Sequence, residues 1–185
     1  MSTRHQFRLS LVCTGACLAL LALTRLCPTP VAAAGDIVPN AEFTQGEQTP
    51  TGWKLSGGQG RWLDRSILEV TGTGAGSNAW QCQCSFTPGG YYRFAMKARA
   101  TAGTGTVVSG PEFANHDWRL APQWRYYEFV FRVPDDTSTG AVRLGQWEAN
   151  GTFQFDAVSI RPVLPVHKQC TENLVLGEGE HIDGR

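Results

Sequence analysis

The sequence predicts an all-β protein, a two-sheet antiparallel β-sandwich of the jelly-roll type. Three observations carry this. Apolar residues recur with a period of two in Trp80–Cys82–Cys84–Phe86, Tyr92–Phe94–Met96–Ala98 and Tyr127–Phe129–Phe131–Val133. That alternation gives a strand one buried and one polar face. Turn-forming Gly, Pro and Asn separate the runs, and nothing reads as a long helix; many short strands joined this way build sandwiches.

The first 34 residues stand apart. Arg4, His5 and Arg8 precede an apolar Leu9–Leu23, and Ala32-Ala33-Ala34 offers small residues for cleavage before Gly35. This is the layout of a secretory signal peptide, so the protein is expected to be extracellular. A membrane span would need roughly 20 uninterrupted apolar residues, and Arg25 comes too early. About 150 residues then remain, enough for one domain with its own core, expected over 35–163.

Without the signal the chain keeps 13 basic and 16 acidic residues, a net charge of −3, with no basic stripe. Nucleic acid is therefore not an expected partner, nor is a membrane after signal cleavage; a monomer is expected. All six Trp lie in the mature part. Cys82 and Cys84 share a strand face at ~6.6 Å between Cα atoms, the upper edge of disulfide geometry. They read as small buried apolar residues, with Cys170 a potential disulfide partner for either in an oxidising compartment.

Along the mature chain, Ile67–Val70 is strand and Gly72–Gly76 a turn, and Trp80–Phe86 is strand up to the turn Pro88-Gly89-Gly90. Tyr92–Ala98 follows, then a small-residue stretch over 101–110 and a polar, aromatic loop over 113–124. Tyr127–Val133 and a strand through Val142 and Leu144 continue the pattern. Asn150-Gly151 predicts a type I′ hairpin, which would pair Glu148 with Phe153 and Trp147 with Gln154. That register puts Trp147 on the polar face. Asn150-Gly151-Thr152 is also a glycosylation sequon, though a tight turn accounts for it. Trp53, Trp80 and Trp124 are expected in the core, and Trp62 is unassigned. Residues 164–185 lack apolar periodicity and read as a linker, or as the start of a further unit.

No nucleophile elbow, zinc-binding helix or phosphate loop appears, and His116, His167 and His181 are scattered. Glu128 and Glu148 form a weak candidate for a glycosidase pair, so no enzyme activity is expected. What remains is flat and planar chemistry: aromatic rings cover the C–H faces of sugars, while Arg, Gln and Glu hydrogen-bond neighbouring hydroxyls. The predicted polar face collects Gln81, Gln83, Tyr91, Arg93, Tyr126, Glu128, Arg143 and Trp147. Trp147, Tyr126 and Trp118, the last from the loop, are the expected stacking residues. Arg93, Gln83 and Glu128 are the expected hydrogen-bonding residues, with an oligo- or polysaccharide as partner.

Several motifs carry a family resemblance. They are Asn40…Phe43…Gly46, Gly52-Trp53, Leu68-x-Val70, Pro88-Gly89-x-x-Tyr92-x-Phe94, Trp124-x-x-Tyr127-x-Phe129-x-Phe131-x-Val133-Pro134 and Gly151…Phe155-Asp156-x-Val158-Ser159-Ile160. Together they resemble carbohydrate-binding modules of families 4, 9 and 22, within the galactose-binding-like jelly rolls. The resemblance implies a non-catalytic module of a larger secreted polysaccharide-acting protein, binding glycan in a groove across one sheet. It also implies a structural calcium ion held by Asp156. Thr44 stands where the family often has an acid, so Glu42 and backbone carbonyls would substitute. A structural or adhesion domain is the alternative reading.

Overall fold

The computed structural model describes residues 35–164; the expected signal segment and the tail beyond Leu164 lie outside them. Ten strands form: β1 (Lys54–Ser56), β2 (Gln59–Leu63), β3 (Ile67–Thr73), β4 (Ser77–Ser85), β5 (Tyr91–Thr104), β6 (Val107–Pro111), β7 (His116–Trp118), β8 (Arg125–Arg132), β9 (Thr139–Trp147) and β10 (Asn150–Pro162). They pair into two antiparallel five-stranded sheets, a front sheet β1-β4-β9-β6-β7 and a back sheet β2-β3-β10-β5-β8. The all-β sandwich predicted by the alternation is what forms.

The core is the set of residues that alternate inward. Trp80, Cys82 and Cys84 of β4 and Val142 and Leu144 of β9 meet Leu68, Val70, Phe94, Met96, Phe153, Phe155 and Ile160 of the back sheet, all buried. Each large apolar side chain removed from water contributes about 1.5–3 kcal/mol. Trp53 is buried as expected, its edge against Phe43 at 5.2 Å and its Nε1 donating to the Pro39 carbonyl at 3.0 Å. Trp80 donates to the Glu69 carbonyl at 3.1 Å, tying the front sheet to the back.

The two terminal motifs are physically joined. Ile37 N donates to Ile160 O at 3.0 Å and Val158 N to Ala41 O at 2.9 Å. The Val158 contact falls at the slip in alternation after Phe155. There Ala157 takes φ 52° and the β5–β10 register shifts between Asp156 and Val158, a β-bulge. Asn40 holds the first loop closed through its side chain, donating to Gln45 O and accepting from Gln45 N.

Three expectations are corrected here. Asn150-Gly151 is not a hairpin: β9 pairs with β4 and β6, whereas β10 pairs with β3 and β5. The chain instead crosses between sheets at Glu148, the residue with positive φ (47°). Gly151 faces Gly72 on one side and Gly103 on the other, and a Cβ there would strike the Ala102 carbonyl. It serves close strand approach rather than a turn. The 113–124 segment is not all loop, since His116–Trp118 pairs with β6 as an edge strand. Trp124 is not core: it lies half-buried on the outer back face, with the Arg99 guanidinium 4.5 Å and the Lys97 ammonium 5.4 Å from its ring centroid. Trp62 is half-buried and packs against the core, with Arg65 over its ring.

Candidate functional site

The outward residues of the front sheet form a trough across the strands. Its floor is one register row, Ser56–Ala79–Gly145–Val108–Asp117, running from β1 to β7. Small side chains keep it low. A Cβ at Gly145 would collide with the Ala79 side chain and the Asn78 carbonyl, so the centre of the floor must be glycine. Trp147, one step along β9, stands 60% exposed and forms one wall. Arg143 and Gln81, directly paired on the other side of the floor, form the opposite wall.

Two hollows of about 310 and 520 Å³ meet at Val108, Arg143 and Trp147. The first reaches Ser56 and Gln81; the second reaches Asn115, Asp117 and Glu148. The five strands span four spacings of ~4.8 Å, roughly 19 Å, the length of a few sugar rings. Among the described residues, Arg143, Gln81, Asp117 and the Trp147 indole make no side-chain hydrogen bond or ion pair. Their donors and acceptors are free for a ligand.

A buried amide pair fixes Trp147 from below. Gln146 Nε2 donates to Asn78 Oδ1 at 2.7 Å, and Gln146 Oε1 accepts from Ala149 N at 2.8 Å. Asn78 Nδ2 in turn donates to the back-strand carbonyls of Gln59 and Thr71. Buried polar groups satisfied this fully hold one geometry, because each lost partner would leave an unpaired group away from water. Glu148 N donates to Gly76 O at 2.7 Å and secures the residue after Trp147.

The outer back face is different. Arg61 donates to Glu69, Gln154 Nε2 donates to Glu69 at 2.7 Å, and Arg99 donates to Gln154 Oε1 at 2.8–2.9 Å. Lys97 pairs with Asp156 at 2.8 Å, and Arg93 with Glu128. Most of its polar groups are spent on one another.

The predicted binding residues therefore divide. Trp147 and Gln83 share the front face, but Gln83 pairs with Ala141, three register rows from Trp147 and outside both hollows. Tyr126, Arg93 and Glu128 lie on the opposite, back face. No single groove can use both groups: alternation told outward from inward, but not which sheet. Trp118 is not an exposed platform. It pairs with inward Val107, sits half-buried against Tyr127 (5.5 Å) and Phe129 (6.1 Å), and leaves its neighbour Asp117 to face the groove. Arg143 and Gln81 stood on the predicted polar face yet outside the chosen set, and the floor glycine Gly145 was missed. Only the pairing of β9 with β4 and β6 places them together in the trough.

Glu128, ion-paired on the back face, and Glu148, beside the front groove, do not converge as a catalytic pair. Asp156 and Glu42 share no hydrogen-bond or ion-pair partner among the described residues. Asp156 gives its carboxylate to Lys97, whereas Glu42 is exposed on the first loop, lining a hollow that excludes Asp156. Among the described residues no three His, Cys, Asp or Glu side chains gather. Calcium takes six to eight oxygen ligands, and the Asp156 carboxylate expected among them is paired with Lys97.

Fold and site together define a jelly-roll sandwich with an open groove across one sheet. No sequence-family model and no curated protein sequence matches the chain. Solved structures do. A CBM4 module superposes with a TM-score of 0.54 at 17% identity, covering 68% of this chain and 99% of the module. The CBM22-1 xylan-binding domain of Paenibacillus barcinonensis Xyn10C gives 0.51 at 13%, covering 72% and 97%. The second N-terminal cellulose-binding domain of Cellulomonas fimi β-1,4-glucanase C gives 0.51 at 15%, covering 73% and 99%. At these identities the likeness shows the fold, that of carbohydrate-binding modules.

Proposed function

We propose that this is a secreted, non-catalytic carbohydrate-binding domain, acting as the N-terminal module of a larger polysaccharide-acting protein. It holds an extended glycan chain in the front groove. The observation that carries this reading is the groove itself: a smooth five-strand floor, an exposed indole on one wall and unpaired planar polar groups on the other. Trp147 stacks on a sugar ring, an aromatic–C–H contact that needs no charge. Arg143 and Gln81 hydrogen-bond hydroxyls on the far wall, and Asp117 accepts from a hydroxyl at the β7 end. The groove runs off both edges of the sheet, so an internal stretch of polymer fits it as well as a chain end.

The proteins of the same fold include a xylan-binding and a cellulose-binding domain, which makes neutral plant polysaccharides the first ligands to try. The segment over 113–124 does not fill the groove. It supplies Asn115 and Asp117 to its lining, which favours ligand binding over a purely structural role. Affinity electrophoresis through gels containing xylan, β-glucan or galactan tests the reading. Retardation by at least one glycan, abolished in Trp147→Ala and weakened in Arg143→Ala, is expected. No retardation by any glycan, or full retention in Trp147→Ala, refutes it.

A further inference from the structure

We infer that the back sheet carries a second, separate ligand site that takes the carboxylate of a uronic acid in an acidic polysaccharide. It is independent of the front groove. Arg161 of β10 and Arg93 of β5 are direct cross-strand partners. Like charges placed opposite each other destabilise a sheet, and such local conflicts concentrate at functional positions. Arg93 is answered by Glu128. Arg161 is not answered to the same extent: its nearest acid, Asp36, lies 3.6 Å from Nε, beyond hydrogen-bond reach. The other oxygen of Asp36 is committed to the Val38 and Ile160 amides. Among the described residues no acceptor takes a hydrogen bond from the Arg161 guanidinium.

Beside this pair lies a hollow of about 360 Å³ bounded by Arg93, Ala95, Tyr126, Ser159 and Arg161, with no acidic side chain in its lining. A second hollow of about 560 Å³ shares Ala95, Tyr126, Ser159 and Arg161 with it and extends past Asp36 to the first loop, where Glu42, Thr44 and Gln45 line it, so the acid-free part is the smaller hollow. Tyr126 is 74% exposed and presents its ring to both. The parts match one ligand chemistry. A guanidinium fork holds a carboxylate bidentately, a tyrosine ring covers the C–H face of the same sugar, and the small side chains of Ala95 and Ser159 leave room for it. A neutral sugar would leave the Arg161 guanidinium without a charged acceptor at hydrogen-bond distance.

Affinity electrophoresis in polygalacturonate gels separates the two sites. Wild type and Trp147→Ala should be retarded equally, while Arg161→Gln and Tyr126→Ala should each lose about tenfold or more in affinity, as expected for one charge-assisted contact. Free galacturonate should relieve the retardation. Arg161→Gln should keep its neutral-glycan binding, so failure of the front groove would show separately, as no neutral-glycan retardation in wild type. Absence of polygalacturonate retardation overturns the proposal. So does its loss in Trp147→Ala, which would place acidic glycan in the front groove. Equal relief by inorganic phosphate would assign a general anion site and overturn it as well.

Discussion

Gln146 and Asn78 face each other across β9 and β4, inside the sandwich, and are joined amide to amide at 2.7 Å. This pair sits directly beneath the wall of the groove, one residue before Trp147. It converts the sequence of the β9 end into a fixed position for the indole.

Replacing Gln146 with Leu keeps the volume but leaves Asn78 Oδ1 and the Ala149 amide unpaired. A buried group without its partner costs about 1–3 kcal/mol. Gln146→Leu should therefore lower the thermal midpoint by several degrees and weaken glycan binding, although the side chain touches no ligand. Melting by circular dichroism and the gel assay check both; an unchanged midpoint would remove the pair from its positioning role.

Lys97 is paired with Asp156, the residue to which the sequence resemblance gave a role in holding calcium. Millimolar calcium or EDTA should leave the thermal midpoint unchanged, and a calcium-dependent rise would contradict the geometry. The hydrogen bond from Lys97 to Asp156, and then the charge of that carboxylate, raise the Lys97 pKa above its ordinary value. A raised lysine contributes its stability in full below the unfolded value, near 10.4, and loses it as pH climbs through the folded value. Wild type should thus melt above Lys97→Met up to about pH 10.4, with the gap closing at higher pH.

Cys82 and Cys84 are both buried with free thiols, their sulfurs 3.9 Å apart and unbonded. The contact with Cys84, together with burial, pushes the Cys82 thiol up. Because both sulfurs are buried away from reagent, both should resist alkylation in the folded protein and label fully in denaturant without reductant. Peptide mass spectrometry reads this directly. Failure to label after unfolding would reveal a disulfide, either between them or to Cys170.

Much of the fold was legible because burial alternates in strands, and Trp80–Phe86, Tyr92–Ala98 and Tyr127–Val133 alternate cleanly. Even the bulge at Ala157 shows in the sequence as a slip between Phe155 and Val158. Sheet membership was not legible. Trp147 and Tyr126 both point outward, but on opposite sheets, and only long-range pairing separates them. The Asn150-Gly151 signal misled because a local turn preference was overridden by tertiary pairing with Gly72 and Gly103. Trp118 misled because its polar neighbours resemble a loop, whereas one bridge to Val107 decides its orientation.

The central claim is that glycan lies across the front sheet. Amide chemical-shift mapping during titration with an oligosaccharide of the neutral glycan that retards the protein tests it most directly. The predicted result is perturbation concentrated at Ala79, Val108, Gly145 and the Trp147 indole, with Ala95 and Ser159 silent. Shifts confined to the back sheet, or scattered with no change at Trp147, would contradict it.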